Sequence, residues 1–192
     1  MLHFKEDGMN YLQLDTPALL INKGIMLDNI KHMQDYADEK NVALRPHTKT
    51  HKMSKIALLQ EEAGAKGITV AKVGEAEVMA ANGLKDIFIA NEIVGDIKLS
   101  RIKKLAETID ISFGLDSIAQ AAMVEKAFEG SKKANVLIEI EVGENRSGVI
   151  EEADYIELLN YLKKCSNINL KGVFSHDGHS YSAENIEACK KI

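Results

Sequence analysis

Short apolar, β-prone runs alternate with amphipathic helical stretches along this chain, and that beat restricts the possible folds more than any other feature. Runs at 18–21, 42–49, 68–71, 87–90, 109–113, 136–142 and 170–175 read as strands. Between them, 27–39, 52–63, 74–81, 95–108, 117–128 and 153–164 read as helices, with a last onset near Ser182; the spacing of Leu27, Ile30, Met33, Tyr36 and Ala37 shows the period. Strands alternating with helices of about ten or more residues predict βα units and a parallel sheet. Asn82-Gly83 and Glu129-Gly130 supply the left-handed residue that ends a helix.

An open doubly wound sheet and a (β/α)8 barrel both satisfy this pattern. No Gly-x-Gly-x-x-Gly follows the first strand and no P-loop motif occurs, which weakens a nucleotide reading. Polar side chains recur at strand C-termini, at Lys49, Lys72, Asn91, Asp116, Arg146 and His176. Barrel active sites collect on that face, so the pattern favours a barrel. With 18–21 outside it, about six barrel strands remain where closure needs eight. The expectation is an incomplete barrel, residues 1–192 forming the N-terminal portion of a longer enzyme or one that another polypeptide completes.

The chain has 192 residues, 45% hydrophobic and 28% charged, enough for a sizeable core. A net charge of −5 argues against nucleic acid as the main partner. No apolar run approaches the roughly 18 residues that span a membrane. Met1 to Asp7 carries acids and no apolar stretch, unlike a signal peptide. Cys165 and Cys189 have no CxxC spacing and read as reduced thiols, which predicts a cytoplasmic protein.

The densest chemistry lies in Arg45-Pro46-His47-Thr48-Lys49-Thr50-His51-Lys52. On a strand, Arg45, His47, Lys49 and His51 would share one face. A lysine crowded by other cations is destabilised as an ammonium, and a free amine is what condensation with an aldehyde requires. The plainer alternative is a solvated basic strand end that binds an anion.

That octapeptide, together with Asp15-Thr16-Pro17-Ala18, Val70-Ala71-Lys72-Val73-Gly74-Glu75-Ala76-Glu77, Gly143-Glu144-Asn145-Arg146-Ser147-Gly148-Val149 and the segment Gly172 to Tyr181, resembles the fold type III pyridoxal-phosphate enzymes. More narrowly, it is similar to the D-threonine aldolase and D-serine dehydratase group, relatives of alanine racemase. The resemblance implies a Schiff base between Lys49 and pyridoxal 5'-phosphate, with Lys52 one turn into the next helix. It places Arg146 near the cofactor's phenolic oxygen, His176 against the pyridine ring, and Tyr181 near the ring nitrogen or substrate. It implies a lyase acting on D-amino acids with a β-hydroxyl, as a homodimer when full length. A divalent metal and the glycine-rich phosphate cup would come from parts of the family's barrel and C-terminal domain that lie outside this chain. The alternatives are an amino-acid racemase and a non-catalytic pyridoxal-phosphate carrier.

His47 and His51 are candidates for tuning the lysine or touching cofactor, against plain packing. Arg146 has a structural ion pair as its alternative, and His176 a structural strand end. Asp177 and His179 do not make a metal site by themselves. Glu75, at a helix start, reads as capping or orientation. Lys72 stands where the family has a small hydroxyl residue. Glu139 and Glu141 share a strand face, so one pointing inward needs a cationic partner.

Overall fold

A computed structural model describes residues 10–192; the Met1 to Asp7 stretch lies outside them. Five strands form one parallel sheet in the order β1-β2-β3-β4-β5: β1 (Ile68–Val70), β2 (Asp86–Glu92), β3 (Asp110–Leu115), β4 (Ala134–Ile140) and β5 (Ile168–Ser175). Helices α1 (Lys23–Glu39), α2 (Ser54–Glu62), α3 (Val73–Ala81), α4 (Asp96–Leu105), α5 (Ile118–Ala127) and α6 (Glu152–Leu162) alternate with them, and α7 (Ile186–Cys189) follows. The register aligns Ile68 with Ile87 and Ile87 with Ile111.

Strand periodicity divides the sheet into two faces. One carries Ile68, Val70, Ile87, Ile89, Ile111, Phe113, Val136 and Ile138, all buried in the core beneath the helices. Burying such a side chain stabilises the fold by about 1.5–3 kcal/mol. The opposite face carries Thr69, Phe88, Ala90, Gly114, Glu139 and Phe174. Phe88 on β2 and Phe174 on β5 meet edge to face at 4.9 Å, although two strands separate them. A flat sheet would hold them far apart, since neighbouring strands lie about 4.8 Å from one another. The sheet is therefore rolled, and Gly114 makes the roll possible: a Cβ there would lie 2.8 Å from the Phe174 ring. This is a barrel wall, incomplete, as the strand-end chemistry predicted.

Three local expectations need correction. Residues 18–21 form no strand; Leu19 is 99% exposed, and an apolar run without a pairing partner does not become a sheet element. The predicted strand at 42–49 pairs only over its middle: Lys66 N–H donates to the Leu44 carbonyl and Thr69 N–H to that of Pro46, each at 2.8 Å, and His47 bridges Thr69 in parallel. This segment occupies the sixth position, beside β1. It ends in a 3-10 turn, Thr48–Thr50, where the Thr48 hydroxyl donates to the Thr69 carbonyl at 3.2 Å, a side-chain bond that competes with further pairing. Lys52 lies ahead of α2, not one turn inside it, at φ 53°.

Candidate cofactor site

The concave face and its strand-end loops enclose a cavity of about 490 Å³. Lys49 and His47 line it from the β1 side; Arg146 and His176 line it from β4 and β5, with Glu92 and Glu139 between. Lys49, His47, Arg146 and His176, singled out from sequence, thus meet in one concavity. Tyr181 does not line it; it stands 84% exposed with its ring edge-on to His176 at 6.2 Å. His51, on the far side of the 3-10 turn, lies outside it: the turn breaks the alternation that would have put it beside Lys49. Arg45 reaches the cavity wall, but a two-point ion pair to Asp86, at 2.8 and 2.9 Å, occupies its guanidinium.

His47 is held by its surroundings. Its Nδ1 accepts from the Lys49 backbone N–H at 3.3 Å. Burial, then the neighbouring Lys49 charge, lower its pKa from the ordinary value, which favours the neutral ring. His51 is lowered by burial, and its Nδ1 accepts from Met53 N–H at 3.0 Å, which organises the entry to α2.

The Arg146 loop is built by carboxylates and left-handed residues. Glu141, just past β4, accepts from the N–H groups of Gly143 (2.8 Å) and Asn145 (2.6 Å), and these bonds hold its carboxyl below the usual range. Gly143, Asn145 and Gly148 have φ of 131°, 56° and 96°. The Ser147 hydroxyl donates to Glu139 at 3.0 Å. Glu144 reaches His176 Nδ1 at 2.6 Å and lies 3.7 Å from the Arg146 guanidinium.

Of Glu139 and Glu141, Glu139 points inward, 4% exposed, and the ionisable group beside it is another carboxylate, Glu92, rather than a cation. Burial and Glu139 push Glu92 up to about 7, against a pull from Arg146. Two carboxylates side by side cannot both stay charged at little cost, and Glu92 Oε1 is buried with no hydrogen-bond partner. Asp116 is also raised, by burial and by Glu92. Because the folded Glu92 pKa lies above its unfolded value, the stability it contributes is present below the ordinary carboxylate range and lost as pH rises through about 7. Glu92→Gln removes that loss. Allowing for partial exposure, the variant should strengthen relative to the parent by about 1–2 kcal/mol between about pH 5 and about pH 8. Urea unfolding at both pH values checks this; a pH-independent difference refutes it.

Sequence reasoning passed over Glu92 and Glu144. Glu92 was legible, since it shares the parity of Phe88 and Ala90; Asn91 also lines the cavity, at the strand end, and donates to the Ala71 carbonyl at 3.0 Å. Glu144 had no signal, because its partner lies 32 residues away. Lys72 is exposed at the N-terminus of α3. Glu75 orients its surroundings, accepting from Ala71 N–H at 2.8 Å and from Lys52 Nζ at 2.9 Å.

The family described as "Alanine racemase, N-terminal domain" matches residues 21–191. The chain belongs to this family. Like other members of the alanine racemase N-terminal domain family, it has the fold of type III pyridoxal-phosphate enzymes. It is 35% identical to a D-threonine aldolase of Arthrobacter sp. over 97% of its own length and 50% of that protein's. It is 37% identical to the D-threo-3-hydroxyaspartate dehydratase of Delftia sp. strain HT23, over 94% and 48%. The crystal structure of D-threonine aldolase from Filomicrobium marinum superposes with a TM-score of 0.82 at 36% identity, over 86% of this chain and 45% of that one. The chain spans about half the length of the curated relatives it matches.

The residues present fit the reactive half of the cofactor. Among the described residues, the Lys49 amine makes no hydrogen bond or ion pair, and Arg146 has only the 3.7 Å approach to Glu144. The cavity thus offers an uncommitted amine for an aldehyde, a guanidinium for a phenolate oxygen, and a fixed imidazole for a ring face.

Proposed function

We propose that this chain is the cofactor-binding portion of a pyridoxal-phosphate-dependent lyase acting on D-amino acids that carry a β-hydroxyl, with Lys49 as the point of attachment. The meeting of Lys49, Arg146 and His176 in one cavity, with the Lys49 amine unpaired among the described residues and Arg146 held only by a 3.7 Å ion pair to Glu144, carries this reading. The relatives' names support the substrate class: D-threonine, 3-hydroxy-D-aspartate and D-serine each pair D configuration with a β-hydroxyl.

Bound pyridoxal phosphate supplies an electron sink for the bond broken at the substrate's α-carbon. Lys49 would hold the aldehyde, and its free amine would be the group able to take the α-proton in an elimination. Arg146 would donate hydrogen bonds to the phenolic oxygen and favour negative charge there. His176 would cover a ring face, and His47, its pKa lowered by burial and by Lys49, favours the neutral ring beside that lysine. A divalent metal beside the substrate hydroxyl would polarise it as a Lewis acid.

Mixing the purified protein with pyridoxal phosphate and then borohydride should fix the cofactor's mass on the peptide containing Lys49. The complete enzyme should convert D-threonine to glycine and acetaldehyde, or D-serine to pyruvate and ammonia. Label on another lysine, or none, overturns the attachment; an inverted amino acid as the product overturns the lyase.

A further inference from the structure

The loop that carries Arg146 and the turn that follows β5 interlock, and Glu144 is the contact. Its carboxylate lies 2.6 Å from His176 Nδ1. A carboxylate at this spacing only accepts, so Nδ1 carries the hydrogen, and in the neutral ring Nε2 keeps its lone pair. Nε2 makes no hydrogen bond among the described residues. Tyr181 closes one edge of the ring.

Two glycines permit the close approach. A Cβ on buried Gly178 would fall onto the Glu144 carboxylate, 2.4 Å from its carbon. A Cβ on Gly143 would lie 3.1 Å from the His179 ring. The same Glu144 lies 3.7 Å from Arg146, and Glu141 fixes the loop backbone between them. One carboxylate therefore stands between the two groups that would hold the cofactor's ring.

We propose that Glu144 is a positioning residue: it fixes the ring plane and the Nδ1–H tautomer of His176, and ties that ring to the loop bearing Arg146. The purpose of this arrangement rests on the pyridoxal-phosphate reading above; its geometry does not. A ring with two free torsions presents a flat face to a ligand only part of the time. Anchoring one nitrogen removes that freedom before binding, which strengthens binding without a new contact.

The test reads the tautomer and the affinity separately. In the cofactor-free protein, in mildly alkaline solution, the ring ¹⁵N shifts of His176 should report Nδ1–H. Glu144→Ala should shift them toward the Nε2–H form that free histidine favours, and Gly178→Ala, which displaces the carboxylate, should do the same. Glu144→Gln keeps an acceptor oxygen and should retain the parent pattern. Pyridoxal phosphate should bind Glu144→Ala about tenfold more weakly than the parent, and Glu144→Gln within about twofold of it. Unchanged ¹⁵N shifts in Glu144→Ala, or equal affinities for parent and Glu144→Ala, overturn the proposal. A parent that binds no pyridoxal phosphate, yet shows the tautomer change on substitution, overturns the cofactor reading and upholds Glu144 as the group that fixes the ring.

Discussion

Lys49→Ala is expected to remove borohydride-trapped attachment of pyridoxal phosphate, a fall of roughly a hundredfold or more, while Lys52→Ala leaves it in place. The two lysines are three residues apart in one basic stretch, and their surroundings decide between them. Lys52 Nζ is 2.9 Å from Glu75 Oε1, and Glu75 is only 9% exposed. Burial opposes the Glu75 charge, but Lys52 and the Ala71 N–H outweigh it and hold the carboxyl below its ordinary range. An ammonium committed to a carboxylate is a poor nucleophile. Lys49 lines the cavity and has no such partner among the described residues. Peptide mapping of the reduced adduct in parent and both variants gives the answer. Label retained in Lys49→Ala and lost in Lys52→Ala would reverse the assignment.

The fold was largely legible because strand parity and helix period record burial directly. Ile87 and Ile89 face the helices, and Phe88 and Ala90 face inward, as a period of two requires. The run at 18–21 has the same composition but no neighbour to pair with, and local composition does not reveal that. The turn at Thr48–Thr50 was hidden for a related reason: the Thr48 hydroxyl finds the Thr69 carbonyl, 21 residues away, and competes with further strand pairing. His51 was lost from the site for this reason alone. Lys49 stood out in a dense basic stretch, and Arg146 and His176 through the family resemblance of the segments that carry them. Glu144 did not, because its role lies in what it touches across the fold. One of Glu139 and Glu141 was expected inward, but a second carboxylate beside Glu139 was not, since that pairing depends on the roll of the sheet from β2 to β4.

Gly148→Ala is expected to destabilise the protein by about 3 kcal/mol and to weaken pyridoxal-phosphate binding with it. Gly148 has φ 96°, and a Cβ there would lie 2.8 Å from the Glu141 nitrogen and 2.9 Å from the Ile140 carbonyl carbon. Both are backbone atoms at the end of β4, so neither can swing aside. Left-handed strain on a non-glycine residue costs about 1–2 kcal/mol. The rest comes from the contact the loop must surrender. Val149 N–H donates to the Glu139 carbonyl at 2.9 Å, and Glu141 N–H to that of Val149 at 3.0 Å; Val149 is buried behind them. Each bond contributes about 1 kcal/mol net. The loop can detach without unfolding the sheet, which limits the total. Detachment also withdraws Arg146 from the cavity and leaves buried Glu139 without the Ser147 hydroxyl. Gly83→Ala separates strain from collision: Gly83 has φ 107°, and a Cβ there would meet nothing within 4 Å, so this variant should lose only about 1 kcal/mol and bind the cofactor as the parent does. Urea unfolding and cofactor titration of both variants decide the matter, and equal losses in the two would mean that the backbone collision at the end of β4 contributes nothing.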